Sequence, residues 1–374
     1  MSNQRIKVYL GDVHFFGKQL REFNGELTDI NEVIRALEAS RNVMRLVGED
    51  AETKMPDQPS FENIAVASSD FATLSDSSVS NFLGLLNQCN WMHVLVHNPP
   101  ASVFRQLKRA DDVEVISQNR FLIERKTIVD LHQALQAELV GQESAIESIL
   151  SGIYSLTREG RNRPVVLMFY GPSGVGKTQA AQIIGDTISH GVLRKQFSML
   201  HSDKFYSYVF GGSHSEASFA RDLAERNSDV ILLDEFDKCN PVFYSAFYEL
   251  FDEGLFQDKN YEICLGSGIF ICTTNFGSLE EIKKNLGEPI FSRFDRFIEF
   301  NSLGPSEILE VVRRMISNSY ATLSPEERKV VDDGRVREKL AAFNWSSGNV
   351  RQLKRYVDEA FDLALVRNVI ANSE

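Results

Sequence analysis

Residues 165–178 read Val-Val-Leu-Met-Phe-Tyr-Gly-Pro-Ser-Gly-Val-Gly-Lys-Thr, and this stretch decides the fold of the chain. It opens with an apolar run, which is typical of a buried parallel strand. The remainder follows the pattern G-x-x-x-x-G-K-[ST], and Gln179 to Ile184 read as the start of a helix. A strand, a glycine-rich turn and a helix in this order predict a loop that binds phosphate groups.

The turn supplies the groups that a nucleotide and its metal ion need. Glycines let backbone N–H groups point at phosphate oxygens, and the helix N-terminus adds the positive end of its dipole. The ammonium of Lys177 can reach the β- and γ-phosphates, and the hydroxyl of Thr178 can bind Mg²⁺. The residues expected to contact the nucleotide here are Gly171, Pro172, Ser173, Gly174, Val175, Gly176, Lys177 and Thr178.

A second apolar run, Val230 to Leu233, ends in Asp234 and Glu235. In an open α/β sheet, ligands bind at the carboxyl ends of the parallel strands. Asp234 is therefore placed to hold Mg²⁺, directly or through water, and Glu235 to polarise an attacking water. Alone, the two acids would read as a solvated end of a strand. After a phosphate loop, we favour the catalytic interpretation.

Composition restricts the class of protein. The chain has 374 residues, with 43% apolar and 25% charged residues, as in ordinary globular proteins with two or three domains. Its net charge of −12 argues against a general nucleic-acid binder. The four cysteines have no metal-ligand spacing and predict free thiols in a reducing compartment. Without a signal-peptide pattern or an apolar run of about 18–20 residues, we expect a cytoplasmic protein with no membrane partner.

Three regions follow one another along the chain. Residues 1–130 alternate short apolar runs with helical patterns and predict a small α/β domain, for which we expect a role in recognising a partner or client. Residues 131–302 predict the nucleotide-binding core, and residues 303–374 read as all helical. A polar loop is predicted over residues 48–60, and no internal repeat is visible. The core strands are predicted at residues 165–170, about 196–200, 230–233, 268–272 and 297–300.

Further stretches make the region from about residue 139 to 365 resemble the AAA+ ATPases, in particular the Clp-type unfoldases and disaggregases. Residues 139–146 resemble the family's adenine-side segment, which includes Val140 and Gly141. Residues 230–241 resemble the Clp Walker B segment, and residues 250–254 the stretch that precedes its hairpin. The run from Ile269 ends at Asn275, the position of sensor 1. The resemblance implies an α/β, three-layer P-loop core with a C-terminal helical lid, and ATP and Mg²⁺ as its ligands.

Two arginines extend the resemblance. Residues 290–296 resemble the segment with the family's arginine finger, and Arg293 takes the finger position, with Arg296 as the alternative. Because that finger acts on the neighbouring subunit, the resemblance implies a homo-oligomer, a hexameric ring. Residues 348–351 look like sensor 2, so that Arg351 would touch the nucleotide from the lid. The pattern Gly-Asn-Val-Arg-x-Leu at residues 348–353 is closer to sensor 2 of the bacterial enhancer-binding activators than to the shorter Clp form, but the Gly-Ala-Phe loop of those activators is not found in this sequence.

The segment Tyr206 to Ser213 lies where Clp-type rings carry an aromatic-glycine loop that grips peptide. Within it, Tyr208, Phe210 and Gly211 are the candidate client contacts, because an aromatic ring makes sequence-tolerant apolar contact and glycine lets a loop move. The alternative is a packed aromatic cluster. No hydrophobic-Gly-hydrophobic docking loop is found, so we do not expect a dedicated peptidase partner.

Together these features predict Mg²⁺-dependent ATP hydrolysis by a ring-forming AAA+ protein that remodels or unfolds a protein client. One alternative is a nucleic-acid-associated ATPase of the loader, motor or transcription-activator type. Another is an assembly switch that ATP controls. The negative net charge of the chain and the aromatic segment Tyr206 to Ser213 argue against the nucleic-acid alternative.

Overall fold

The computed structural model describes residues 4–46, 58–118, 122–199, 203–213, 215–343, 345 and 349–371. Most of the predicted loop, residues 48–57, lies outside the described residues, as do His214 and Gly348 of the motifs quoted above. Within the described residues, no helix is both long enough and apolar enough to cross a membrane.

The first domain is built on a five-stranded sheet in the order β2-β3-β4-β1-β5, and every pairing in it is parallel. Its elements are β1 (Arg5–Leu10), α1 (Val13–Glu22), β2 (Leu27–Asp29), α2 (Ile30–Leu46), β3 (Ser60–Val66), a 3₁₀ turn (Ser68–Ala72), α3 (Asp76–Ser80), α4 (Phe82–Leu86), β4 (Asn90–His97), α5 (Ala101–Leu107) and β5 (Val113–Ser117).

The core contains a second five-stranded parallel sheet and a short antiparallel hairpin, β9–β10. The order of the sheet is β12-β6-β11-β8-β7. The elements are α6 (Arg125–Glu138), α7 (Glu143–Ile153), β6 (Val165–Tyr170), α8 (Lys177–Ile188), β7 (Leu193–Gln196), α9 (Asp203–Phe210), α10 (Phe219–Ala224), β8 (Val230–Asp234), α11 (Tyr248–Glu253), β9 (Leu255–Gln257), β10 (Glu262–Cys264), β11 (Ile269–Thr273), α12 (Leu279–Leu286), α13 (Glu288–Phe291) and β12 (Arg296–Glu299). Four 3₁₀ turns lie between them, at Tyr154–Thr157, Phe197–Met199, Phe236–Lys238 and Pro241–Phe247.

The central strands of the core are buried on both faces, which explains their uninterrupted apolar sequences. Alternate residues of one strand enter different apolar clusters. Val166 and Met168 face a cluster rich in phenylalanine, whereas Val165 and Leu167 face the cluster formed by α6, α7 and α8. The sheet is therefore the middle of three layers, which confirms the predicted α/β fold class.

The C-terminal region is helical and has an apolar cluster of its own, centred on Trp345, Val357 and Phe361. A serine caps its second helix through a capping box with Glu327, as the Ser-Pro-Glu-Glu sequence indicates. The helices are α14 (Pro305–Thr322), α15 (Pro325–Asp333), α16 (Val336–Ala342) and α17 (Val350–Ala371).

One sequence prediction differs from the structure. The strand predicted near residues 196–200 is wrong by about three positions, because β7 ends at Gln196. Phe197 then leaves the sheet in a 3₁₀ turn and is buried against Phe205, Phe236 and Phe247. In addition, Ile123 packs in the cluster formed by the core helices. We therefore propose that the core begins near residue 123, earlier than the predicted boundary at 131.

The β9–β10 hairpin depends on a glycine at its base. Gly254 has φ of +74°, and an added Cβ would lie 2.4 Å from the carbonyl oxygen of Gly266. Gly266 also has a positive φ, +60°, yet an added Cβ there would have no atom within 4 Å. The two glycines thus share a left-handed backbone, and only Gly254 has a steric obstacle.

We expect Gly254→Ala to destabilise the core by about 2–5 kcal/mol, because left-handed strain and overpacking add. Gly266→Ala, the matched control, should cost only about 1–2 kcal/mol from the backbone strain. Urea unfolding followed by intrinsic fluorescence gives both values. Equal losses for the two variants would contradict the steric explanation.

Candidate active site

The sheet order brings three predicted site residues together. β11 lies between β6 and β8, so the carboxyl ends of these three strands are neighbours at one edge. Lys177 begins α8 just after the turn that follows β6, and its Nζ donates to Oδ1 of Asn275 at 3.1 Å. The same ammonium donates to the carbonyl oxygens of Gly171 at 2.6 Å and Pro172 at 2.7 Å. The N–H groups with which Lys177 would hold phosphate are thus bonded to protein oxygens in this structure.

Burial changes the acidity of Lys177. Its side chain is withdrawn from water, and this desolvation lowers the pKa from 10.5 to about 8. The carboxylates of Asp234 and Asp237 act in the opposite direction, and the positive charge of Arg351 adds to the lowering. The site therefore contains a lysine that is mostly protonated at pH 7 and loses its proton as the pH rises through about 8.

The phosphate loop has the backbone that its glycines predict. Gly171, Gly174 and Gly176 all have positive φ, at +124°, +80° and +106°. A side chain at Gly171 would place Cβ 2.2 Å from the carbonyl oxygen of Phe300, so only glycine fits between β6 and the strand beside it. Gly176 then directly precedes the first residue of α8.

Asp234 and Glu235 end the neighbouring strand β8 as predicted. The carboxylate of Asp234 accepts from Thr273 Oγ1 at 2.5 Å and from Arg194 Nη2 at 2.5 Å. Glu235 has φ of +54°, an uncommon value for a side-chain-bearing residue, and its N–H donates to Thr273 Oγ1 at 2.9 Å. Its Oε2 accepts from Gln196 Nε2 at 3.3 Å. The strained turn directs Glu235 away from the strand.

The donor set of this edge suits a magnesium ion bound together with phosphates. Mg²⁺ prefers oxygen ligands and is usually held by one or two carboxylates in addition to phosphates and waters. Asp234 and the hydroxyl of Thr178 are such ligands. Asp237 has a buried side chain whose Oδ1 has no hydrogen-bond partner in the described part of the chain, and its charge acts on Lys177 from within the protein. These residues fit the predicted ion.

The adenine-side segment lies between the phosphate loop and the helical region. Gln142 joins it to the end of the sheet, since its side chain donates to the carbonyl of Asn301 at 2.9 Å and accepts from the Asn301 N–H at 3.0 Å. Gly141, which follows the half-buried Val140, has φ of +69°, and a Cβ there would lie 2.6 Å from Cγ of Glu307 on α14. The segment is thus in contact with the first helix of the lid.

The start of α17 also reaches the phosphate loop. An added Cβ at Gly174 would lie 2.9 Å from Cβ of Asn349. Arg351, two residues further on, is exposed, and its charge acts on Lys177. The structure therefore brings the predicted sensor 2 residue to the nucleotide side of the lid.

Arg293 lies apart from the residues just described. Its guanidinium donates to Asp252 Oδ2 at 2.9 Å and to the carbonyl of Pro289, and it stacks over the ring of Tyr248 at 4.1 Å. None of these partners belongs to the phosphate loop or to the ends of β8 and β11. Arg296 begins β12 and is exposed, with its aliphatic stem beside Gly152.

The aromatic segment is more ordered than its glycines suggest. Tyr208 and Phe210 belong to α9 and are half-buried. The hydroxyl of Tyr208 donates to Asp222 at 2.5 Å, and burial raises its pKa. Phe210 packs against the ring of Tyr206 at a tilt, with the ring centroids 4.8 Å apart, and Tyr206 is 61% exposed. Gly211 follows with φ of +84°. The ring that faces solvent most fully is therefore that of Tyr206, which was not among the predicted client contacts.

The predictions also missed Arg194 and Gln196, which contact the two acids that end β8. Both lie on β7, whose position was predicted three residues too late. Gln196, the last residue of β7, is paired with Asp234. A prediction with the correct end of β7 would therefore have placed Gln196 beside the acids that follow β8.

The comparisons with known proteins agree with this geometry. Residues 167–302 match the family profile described as ATPase family associated with various cellular activities (AAA). The chaperone protein ClpB of Malacoplasma penetrans is 23% identical over 275 residues, which cover 67% of this chain and 39% of the relative. The ATP-dependent Clp protease ATP-binding subunit ClpE of Bacillus subtilis is 24% identical over 287 residues, covering 67% of this chain and 41% of the relative. The chain thus spans about two fifths of the length of these curated relatives.

A solved structure has the same fold. The closed-state cryo-EM reconstruction of Hsp104 with ATPγS and FITC casein superimposes with a TM-score of 0.56 at 12% sequence identity, over 99% of this chain and 89% of that one. Residues 167–302 of this chain are therefore an AAA ATPase domain, and the chain is similar to proteins of the Clp type.

Proposed function

We propose that this protein hydrolyses ATP with Mg²⁺ as a ring-forming AAA+ ATPase and uses the energy to remodel or unfold a protein client. The observation that carries the proposal is the contact of Lys177 with Asn275 near the carboxylates of Asp234 and Asp237, at the edge of the sheet where Glu235 follows β8. A phosphate-binding ammonium, metal-binding oxygens and a candidate base converge there at the carboxyl edge of one parallel sheet.

Each residue has a role that its position supports. Lys177 exchanges its two carbonyl partners for phosphate oxygens and stabilises negative charge on the γ-phosphate. Asn275 and Glu235 hold the attacking water, and Glu235 accepts a proton as the water oxygen bonds to phosphorus. The bond from the γ-phosphorus to the bridging oxygen breaks, which leaves ADP and phosphate. Mg²⁺, when bound, would neutralise charge on the β- and γ-phosphates.

The position of Arg293 supports catalysis between subunits. Within one chain its guanidinium is held by Asp252, Pro289 and Tyr248, all outside the nucleotide edge. A finger that acts on a neighbour's γ-phosphate must lie away from the site of its own subunit. We therefore infer a homo-oligomeric ring, of six subunits by resemblance to Clp proteins, in which Arg293 completes the next subunit's site.

The proposed client is a protein. The relatives are named as a chaperone and as an ATP-binding subunit of a protease, and the solved neighbour was imaged with casein. In this chain, the exposed ring of Tyr206, which packs against Phe210, offers an apolar surface that can contact different sequences. Stimulation of hydrolysis by unfolded protein, and none by DNA, would distinguish this function from a nucleic-acid motor.

Substitutions at the site should separate binding from turnover. Glu235→Gln should retain ATP affinity and lose at least about 10²-fold in kcat, because an amide cannot accept the proton. Lys177→Ala should weaken binding itself by about 10–10²-fold through loss of a charged donor. The exposed Lys329→Ala serves as the matched control and should behave as the unchanged protein. Nucleotide affinity and steady-state hydrolysis test all three, and near-normal turnover in Glu235→Gln would exclude its assigned role.

Arg293 and Arg296 can be told apart by mixing subunits. Arg293→Ala should lower kcat by about 10³–10⁵-fold, whereas Arg296→Ala should stay close to the unchanged protein. Mixing Arg293→Ala with Glu235→Gln subunits should restore activity, because some interfaces then combine an intact Glu235 with a neighbour's intact Arg293. Native mass spectrometry must show that mixed rings form. Mixed rings without recovered hydrolysis would argue against action between subunits.

Nucleotide affinity should depend on pH through Lys177. In the free protein its ammonium loses a proton above pH 8, since burial lowers its pKa from 10.5 to about 8. Phosphate oxygens bind the protonated form, so affinity should fall by up to about tenfold per pH unit between pH 8 and pH 10. Lys177→Arg keeps its charge in this range and should remove the slope. The dissociation constant of a fluorescent ATP analogue, measured from pH 6 to pH 10, gives the result, and equal slopes would contradict the titration of Lys177.

A further inference from the structure

The two sheets of this protein have the same strand order. Numbering the strands of each sheet from one in chain order, the first domain reads 2-3-4-1-5 and the core reads 5-1-4-3-2, which is the same order seen from the opposite edge. Both sheets are parallel throughout. The end of β1 in the first domain therefore corresponds to the end of β6, where the core has its phosphate loop.

The first domain lacks the phosphate loop that the core has at that position. Only Gly11 and Asp12 separate β1 from α1, whereas residues 171–176 separate β6 from α8. Asp12 is 5% exposed, and its carboxylate accepts from the Phe15 N–H at 2.7 Å and from Gln118 Nε2 at 2.9 Å. The cavity of about 360 Å³ beside Gly11 and Asn98 therefore has a carboxylate, in place of a glycine-rich turn, at the end of β1.

The same edge contacts the core. Asn98 follows β4 with φ of +36°, and its side-chain amide donates to Gly11 O and to Ala224 O of the core, each at 2.7 Å. The N–H of Val13 donates to the carbonyl of Arg226 at 3.0 Å. The rings of His14 and His190 contact each other across the two domains in a tilted arrangement, with their centroids 4.0 Å apart. The edge that binds ligands in most open α/β sheets is here a protein-docking surface.

One residue of the core connects this surface with the aromatic segment. The carbonyl of Asn260, in the turn between β9 and β10, accepts from the N–H of Ala101 at the start of α5, at 2.8 Å. The side chain of Asn260 donates to the carbonyl of Gly212 at 3.2 Å. The adjacent Lys259 N–H donates to the carbonyl of Phe210 at 3.0 Å. A continuous path of hydrogen bonds thus leads from α5 to residues 210–212.

We propose that the first domain is a nucleotide-free module with the sheet order of the core, that its carboxyl edge docks on the core, and that through Asn260 it holds residues 210–212 in position. A force on the first domain then reaches the aromatic segment through two backbone carbonyls and one side-chain amide. The consequence for client handling rests on the function proposed above, whereas the docking itself does not.

Hydrogen exchange of the full chain without nucleotide tests the docking. Ala101→Pro removes the N–H that donates to the carbonyl oxygen of Asn260. Proline is tolerated at the first position of a helix, which Ala101 occupies in α5. Amides in residues 255–264 and 206–213, including that of Lys259, should exchange at least about tenfold faster. Ala101→Ser keeps the N–H and should exchange as the unchanged protein does. Equal exchange in both variants would overturn the proposal.

A second variant covers the case in which Ala101→Pro unfolds the first domain, which faster exchange in β1 and β4 would reveal. Asn260→Ala keeps the backbone contact with Ala101 and removes only the donor to Gly212. Residues 206–213 should then exchange faster while the Ala101 amide stays protected. Unchanged exchange of residues 206–213 would refute the role of Asn260.

Two activity measurements complete the test. Titration with ATPγS should find one site per chain in the unchanged protein and one site, weaker by about 10–10²-fold, in Lys177→Ala; a second site per chain, or a site of unchanged affinity in Lys177→Ala, would refute a nucleotide-free first domain. In Asn260→Ala, basal hydrolysis should stay within about twofold while stimulation by unfolded casein is lost. If exchange changes as expected but casein stimulates no variant, not even the unchanged protein, the proposed client function fails and the docking stands. Normal stimulation of Asn260→Ala would refute the coupling.

Discussion

The pairing of β6 with β11 is the constraint on which the nucleotide site depends. Its register sets Phe169 opposite Thr273, so the turn after β6 emerges beside the end of β11. Lys177 and Asn275 meet for this reason, although many residues separate them in sequence. β8, on the other side of β11, adds Asp234, which Thr273 holds by a hydrogen bond. A different strand order would leave the same motifs on separate parts of the surface.

Electrostatics at this edge follow from burial. The desolvated Lys177 would lose its proton more readily still without the carboxylates of Asp234 and Asp237 nearby. Arg194 pairs with Asp234 at the position where a metal ion would compete for the same oxygen. In the free chain, the positive charges of Lys177 and Arg194 therefore lie close to the negative charges of Asp234 and Asp237. A triphosphate with its metal ion can enter by exchanging partners, so that no buried charge is left uncompensated.

The two sheets show how one strand order serves two purposes. In the core, a long glycine turn leaves the carboxyl edge open for phosphate. In the first domain, a short turn and the carboxylate of Asp12 stand at the corresponding position, and the backbone there pairs with the core. The polar groups at the ends of parallel strands need partners in both cases. In the proposed function a nucleotide would meet this need in the core, whereas in the first domain the neighbouring domain contributes to it.

The sequence alone determined the parts of this protein that local chemistry controls. Uninterrupted apolar runs indicated β6, β8 and β11, since strands buried on both faces exclude polar residues, and the glycine spacing indicated the phosphate turn, since only glycine adopts its backbone freely. Tertiary structure alone decided the repeated strand order, the burial of Tyr208, the end of β7 and the bridge through Asn260. These features depend on which surfaces meet, and surfaces meet through many weak contacts between distant residues that no short stretch of sequence contains.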